Sequence, residues 1–246
     1  MKFIYSIILY FVGMAVYGQG LQQLVFSGGK NFTGKDVLQL EYGLNIERLN
    51  NNINQYNQQI SQYGLIKYGV LHNLDIAFSY NFSRQQLFVS DQMRRSNGLS
   101  NFTAGFKKKI SQNFSLKSDL GFSRNEFDKL VGAAQITAIS EHNIDSYLAL
   151  ENNLGLSWSS GSPRANLVYL SGITFTIPYP LDIIVEYYGQ YGRESWDNYA
   201  NLGIGYYFSA DIMIEAYAGF GNTNDQDTTF VSLNLYWRLV PARYNK

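Results

Sequence analysis

The chain has 246 residues, its 19 Lys plus Arg are balanced by 19 Asp plus Glu, and it contains no cysteine. Zero net charge leaves no basic excess to hold a nucleic-acid backbone, and the missing thiols exclude disulfides, thiolate metal sites and a Cys nucleophile. Only 15% of residues are charged, against about 25% in soluble domains, and 20 Tyr with 22 Gly suit either a Tyr-rich soluble sandwich or a membrane barrel with aromatic rims.

Met1-Lys2, the apolar run from Phe3 to Val16 and the modest residues Val16-Tyr17-Gly18 predict a signal peptide over residues 1–18, cleaved before Gln19. The run is shorter than the ~20 residues that span a bilayer as a helix. Residues 19–35 read as a short periplasmic or lumenal leader, and residues 36–239 hold the repeating pattern described next. Residues 240–246 form a tail.

Alternate side chains of a strand point to opposite faces, so each run of alternating polarity predicts a strand with one apolar face. The first, from Asp36 to Ile46, sets Leu38, Leu40, Tyr42, Leu44 and Ile46 against Glu41. Glu47 to Gln59 is rich in Asn and Gln and reads as a polar loop. The second, Ile60 to Val70, has Ile66, Tyr68 and Val70 opposite Lys67, and His72-Asn73 is a hairpin-type turn. The third, Leu74 to Arg84, alternates cleanly, with Asp75 on its polar side. Gln85 to Gly98 reads as a longer charged connection.

The fourth strand, Leu99 to Ile110, places Phe102, Ala104 and Phe106 opposite Thr103, Lys107 and Lys109. The fifth, Phe114 to Arg124, places Leu116, Leu120 and Phe122 opposite Lys117 and Asp119. The sixth, Val131 to Ser140, mixes Ala, Gly, Ile and Thr across both faces. The seventh, Ile144 to Trp158, sets five apolar residues against Glu151. The eighth, Ala165 to Ile177, ends at Pro178-Tyr179-Pro180, because proline removes a ladder donor.

The last four alternate most clearly. Leu181 to Tyr191 carries Asp182 and Glu186 on its polar side, and Tyr199 to Phe208 follows with Gly203 and Gly205. Asp211 to Gly221, reached by a tight turn at Ser209-Ala210, carries Glu215, and Thr228 to Leu239 carries Arg238. Connections after the even-numbered strands are short, and those after the odd-numbered ones are longer and more polar. That separation predicts an all-β fold: a transmembrane antiparallel β-barrel of about twelve strands, with short periplasmic turns and longer outer loops. Closure satisfies every backbone N–H and C=O in hydrocarbon, where an open edge is forbidden.

Several motifs in the last third carry a resemblance. Glu186 with Gly189, Asn201-Leu202-Gly203-Ile204-Gly205, Asp211 with Gly219-Phe220-Gly221, and Trp237-Arg238-Leu239 follow one another in order. This succession resembles the C-terminal part of the outer-membrane barrel family of transporters assigned to the MetA pathway of phenol degradation. Tyr68 to Asp75 is similar to that family's earlier tyrosine-glycine, turn and strand unit. The resemblance implies a transport role. Leu239 stands where that family ends in an aromatic residue.

The polar faces together nominate a lumen-lining set: Glu41, Lys67, Asp75, Lys107, Lys109, Lys117, Asp119, Glu151, Asp182, Glu186, Asp211, Glu215 and Arg238. Charges inside a barrel without water must pair, because an isolated one loses too much solvation. A salt-bridge network in a closed, structural or adhesion barrel and a charged pore lining both fit this set. The aromatic residues Tyr187, Tyr188, Tyr191, Tyr206, Tyr207, Phe208, Tyr217 and Phe220 read as girdle or wall residues. A lipid hydrolase needs a base within reach of its nucleophile, and the two histidines, His72 and His142, fall at predicted turns. The expected activity is passive passage of small, hydrophobic or aromatic solutes, with no enzyme chemistry and no cofactor. The expected partners are outer-membrane lipids, the barrel-assembly machinery during insertion and a small solute, with no nucleic acid.

Overall fold

The computed structural model describes residues 33–50, 56–89, 92–124, 130–159, 164–178, 180–192, 196–223 and 226–241. The signal peptide expected over 1–18, the leader as far as residue 32 and the tail from residue 242 lie outside them. Twelve strands occur among the described residues: β1 (Leu38–Asn50), β2 (Tyr56–Leu71), β3 (Leu74–Val89), β4 (Gln92–Lys109), β5 (Phe114–Arg124), β6 (Leu130–Asn143), β7 (Leu148–Ser159), β8 (Asn166–Ile177), β9 (Leu181–Tyr191), β10 (Trp196–Ser209), β11 (Ile212–Thr223) and β12 (Gln226–Leu239). Each pairs antiparallel with its chain neighbours, and β1 pairs with β12 from Leu38↔Leu239 to Asn50↔Asp227, which closes the barrel. Closure leaves no strand edge unpaired.

The alternation seen in the sequence sets which way each side chain points. On β10, Leu202, Ile204 and Tyr206 are exposed while Asn201, Gly203 and Gly205 are buried. Leu233 and Leu235 of β12, Phe78 of β3 and Leu154 of β7 are likewise exposed. Ser61, Asp75, Gln135, Asn153 and Asp182 are among the buried polar residues. The arrangement is that of a soluble protein reversed, with its greasy side outward. Outward aromatic residues mark both rims: Phe114, Tyr147, Phe208 and Trp237 at the end where β1 begins, and Phe122, Tyr191, Trp196 and Phe220 at the other. Such rings sit where an apolar body and a polar edge are both satisfied.

Three details differ from the sequence expectation. The tract expected to loop from Glu47 to Gln59 is mostly strand, since β1 runs to Asn50 and β2 starts at Tyr56. Gln85 to Val89 and Gln92 to Gly98 likewise belong to β3 and β4, which pair as far as Val89↔Gln92. Beyond the apolar band both faces of a hairpin meet polar surroundings, so the ladder continues after the alternation has ended. Finally, the turn between β10 and β11 is Ala210-Asp211, and a register shift between Tyr207 and Ser209 precedes it.

Candidate functional site: the charged interior of the barrel

The inward faces carry the ionisable residues in two sectors. In the first, β1 to β6, lysines hold carboxylates. Lys67 Nζ lies 2.5 Å from Glu41 Oε1 across the β1–β2 seam, Lys107 Nζ lies 2.7 Å from Glu141 Oε1, and Lys117 Nζ lies 3.2 Å from Asp119 Oδ2. Glu41 Oε1 also accepts from Gln39 Nε2 at 2.7 Å. The Lys67–Glu41 and Lys117–Asp119 side chains are nearly closed to solvent and Glu141 is more open, so the first two pairs above all compensate charges that would be costly alone.

In the second sector, β9 to β11, no lysine or arginine occurs in any strand. Tyrosine and asparagine take the donor role there. Tyr217 and Tyr236 hydroxyls both donate to Glu215 Oε2, at 2.8 and 2.7 Å. The Tyr207 hydroxyl donates to Asp182 Oδ2 at 3.0 Å, and Asn201 Nδ2 donates to Glu186 Oε2 at 2.9 Å. Gln190 Nε2 donates to Asp197 Oδ2 at 2.5 Å. Bonds of this kind to an ionised acceptor are about twice as strong as neutral ones.

Glycines make room for two of the inward rings. A Cβ at Gly203 would collide with the Tyr217 ring, and one at Gly43 would collide with Tyr63. The glycine-alternating strand thus leaves room for rings from its neighbours to lie flat along the wall. Higher in the barrel, Val168, Leu170, Tyr188 and Tyr199 form a buried apolar cluster with Phe230 against it. The Tyr188 and Tyr199 rings stack at 5.1 Å, and Phe230 meets both edge-on.

The end of the leader is fastened to the wall at one rim. Thr33 donates from its N–H and its hydroxyl to Asp75 Oδ2 at 3.0 and 3.2 Å, and its carbonyl accepts from Arg238 Nη2 at 3.4 Å. Asp36 N–H donates to the Gly69 carbonyl at 2.7 Å, while Gly69 N–H donates to the Val37 carbonyl at 3.0 Å. The Gly34 carbonyl occupies the space a Cβ at Gly69 would need, and Gly34 itself has φ +92°, which costs glycine nothing.

Of the residues nominated from sequence, Glu41, Asp75, Lys117, Asp119, Asp182 and Glu215 are buried, and Lys67, Lys107, Glu151 and Glu186 are half-buried. Lys109 and Arg238 are exposed near the rim, and Asp211 lies in the β10–β11 turn. Among the nominated aromatics, Tyr187, Tyr191, Tyr206, Phe208 and Phe220 face outward, whereas Tyr188 is buried, and Tyr207 and Tyr217 bond the inward carboxylates. Sequence reasoning missed Glu47, Glu141 and Asp197, which fell in stretches expected to be loops or turns. Their odd numbering continues the inward parity of Glu41, Gln135 and Tyr199, and that signal could have found them.

His142 stands on β6, not in a turn, and links two partners: Ser140 Oγ at 2.8 Å from Nε2 and Asn113 Nδ2 at 3.1 Å from Nδ1. Ser140 is paired on both sides, with Phe114 and Asn152, so its backbone belongs to the sheet ladder rather than to a turn that presents N–H groups to a reacting carbonyl.

No protein-family model matches the chain, and no curated protein sequence matches it. Solved structures do. An outer membrane channel from Pseudomonas putida F1 aligns with a TM-score of 0.69 at 10% identity, over 86% of this chain and 98% of that one. The translocator domain of autotransporter NalP from Neisseria meningitidis aligns at 0.56 and 13% identity, over 90% and 95%. The CymD monoaromatic hydrocarbon channel aligns at 0.52 and 9% identity, over 92% and 94%. At these identities the likeness is one of fold: the chain is an outer-membrane-type β-barrel.

Proposed function

We propose that this protein is a passive outer-membrane channel for small hydrophobic or aromatic solutes. The observation that carries the reading is the reversed distribution of polarity: an apolar exterior around an interior lined by ionisable and hydrogen-bonding side chains. Glu41, Lys67, Asp75, Lys107, Lys117, Asp119, Glu151, Asp182, Glu186 and Glu215 would line the path, with Lys109, Asp211 and Arg238 near its rim. The fold shared with channels supports this, as does the sequence resemblance to transporters of the phenol-degradation pathway. The aromatic cluster around Tyr188, Tyr199 and Phe230 supplies ring faces that an aromatic solute would meet. Export would use residues 1–18, and insertion would use the barrel-assembly machinery. Solutes would move down their own gradient without a cofactor.

A second reading, a structural barrel with a closed lumen, is favoured by one observation. Ser61, Gln135 and Thr137 face inward yet are only 0%, 2% and 4% exposed. Conductance of the refolded protein in a planar bilayer, followed by liposome swelling with sugars and aromatic solutes, separates the two. Stepwise current and faster swelling are expected of a channel. A correctly inserted barrel with neither current nor flux would leave the structural reading standing.

A further inference from the structure

The basic residues of the strands are sorted by type along the barrel. Lys67, Lys107, Lys108, Lys109 and Lys117 stand towards the short-turn ends of β2, β4 and β5. Arg48, Arg84, Arg94, Arg95 and Arg124 stand at the long-loop ends of β1, β3, β4 and β5, and Arg238 of β12 is the exception. Arg48 and Arg84 are both exposed. They share the outward face, since the ladder runs Arg48↔Gln58↔Gln86 and Ile46↔Ile60↔Arg84↔Asn97. Immediately below begins the lipid-facing band, with Phe82 and Leu99 exposed. The acids of β1 to β4, Glu41, Glu47 and Asp75, are all buried on the inward face. Among the described residues neither arginine makes an ion pair. The next outward acid by register, Asp227 opposite Asn50, accepts from Asn222 at 3.4 Å.

We infer that Arg48 and Arg84, with the amides of Gln58, Gln86 and Asn97 around them, dock the phosphorylated headgroup of an outer-leaflet glycolipid of the lipid A type. This goes beyond the channel reading and does not depend on whether the lumen is open. In an outer-membrane barrel the longer loops face outward, which sets this end at the outer leaflet. Strands ~4.8 Å apart with a rise of ~3.4 Å per residue put the two arginine backbones about 12 Å from one another. That separation suits two anionic groups carried by one headgroup. A guanidinium presents paired N–H donors that match a phosphate bidentately, where an ammonium offers only a point charge. Arginine rather than lysine at this end follows from that geometry. The acyl chains of the same molecule would lie on Phe82, Leu99 and the apolar residues below them, so headgroup site and lipid-facing wall form one continuous surface.

To test this, the folded protein in detergent micelles is titrated with diphosphorylated lipid A and with its fully dephosphorylated form, and bound lipid is read by native mass spectrometry. The diphosphorylated lipid should bind about tenfold more tightly or better, a comparison that needs no variant. In the double variant Arg48→Gln, Arg84→Gln that binding should weaken about thirtyfold, at about fivefold for each charge lost. Lys108→Gln, which removes an exposed lysine at the opposite rim, should leave it unchanged. Equal binding of the two lipids by the wild type would overturn the inference, as would a double variant that binds like the wild type. Phosphatidylglycerol bound as tightly as diphosphorylated lipid A, with the same dependence on both arginines, would also overturn it, by assigning the patch to any anionic lipid.

Discussion

The two sectors of the barrel wall solve the same problem in different ways. Between β1 and β6 an inward carboxylate is held by a lysine, as Glu41 is by Lys67 and Asp119 by Lys117. Between β9 and β11 it is held by rings and amides, as Glu215 is by Tyr217 and Tyr236. The first solution neutralises charge and needs only an aliphatic stem of the right length. The second uses neutral donors and, at Tyr217, needs space that Gly203 of β10 provides. The pairing of Tyr217 with Gly203 shows how a ring can reach an acid along the wall: it lies over a neighbour without a side chain.

The comparison can be broken at its strongest pair first. Lys67→Met should strand the carboxylate of Glu41, whose side chain is only 1% exposed. Losing one partner of a buried pair costs about 3–5 kcal/mol, readable as a lowered urea midpoint for unfolding from lipid vesicles. Restoring balance with the added change Glu41→Gln should recover much of that loss. If Lys67→Met alone left the midpoint unmoved, the pair would not be buried as described.

The outer face is common to both sectors, and Leu233→Arg on β12 tests it. Leu233 is 52% exposed among other apolar residues, and an arginine near the bilayer midplane of such a barrel costs about 2–4 kcal/mol. In the tyrosine sector, Tyr236→Phe removes one of two hydroxyls from Glu215. A hydrogen bond to a charged group is worth about 1.5–3 kcal/mol, and the remaining Tyr217 should hold the loss to the low end. Gly219→Val should cost about 1–3 kcal/mol by overpacking, because its Cβ would meet the Phe230 ring and the Ala200 carbonyl. Adding Phe230→Leu should relieve part of that cost. Equal effects of the single and double variants would remove the glycine–ring argument.

Much of the fold was legible because lipid imposes a strict rule on every second residue. Leu202, Ile204 and Tyr206, or Phe78 and Tyr80, have no other surroundings available, so their period of two is unbroken. That rule stops where the bilayer stops. Arg48 and Gln58 pair in register across β1 and β2, yet nothing in their composition distinguishes a polar strand end from a loop. The interior was legible only in part for a related reason. Its inward positions include Ile139, Val168, Leu170 and Ile184, all buried, because closely packed wall residues need not be polar. On β6 this left Ala133, Gln135, Thr137 and Ile139 inward against Ile136 and Ala138 outward, a pattern that hydrophobicity alone does not resolve. Partners were less legible still: that Tyr236 reaches Glu215 depends on the register of β11 against β12, which no single strand reveals.

The chain has no native cysteine, so single cysteines on β12 give the most direct test of which face meets lipid. Val231→Cys, Leu233→Cys and Leu235→Cys are compared with Ser232→Cys and Asn234→Cys, each labelled with a small fluorophore in vesicles. A nitroxide-bearing lipid should quench the label at positions 231, 233 and 235 and spare positions 232 and 234. Quenching without that period of two, or strong quenching of the odd-numbered labels by aqueous iodide alone, would contradict the account.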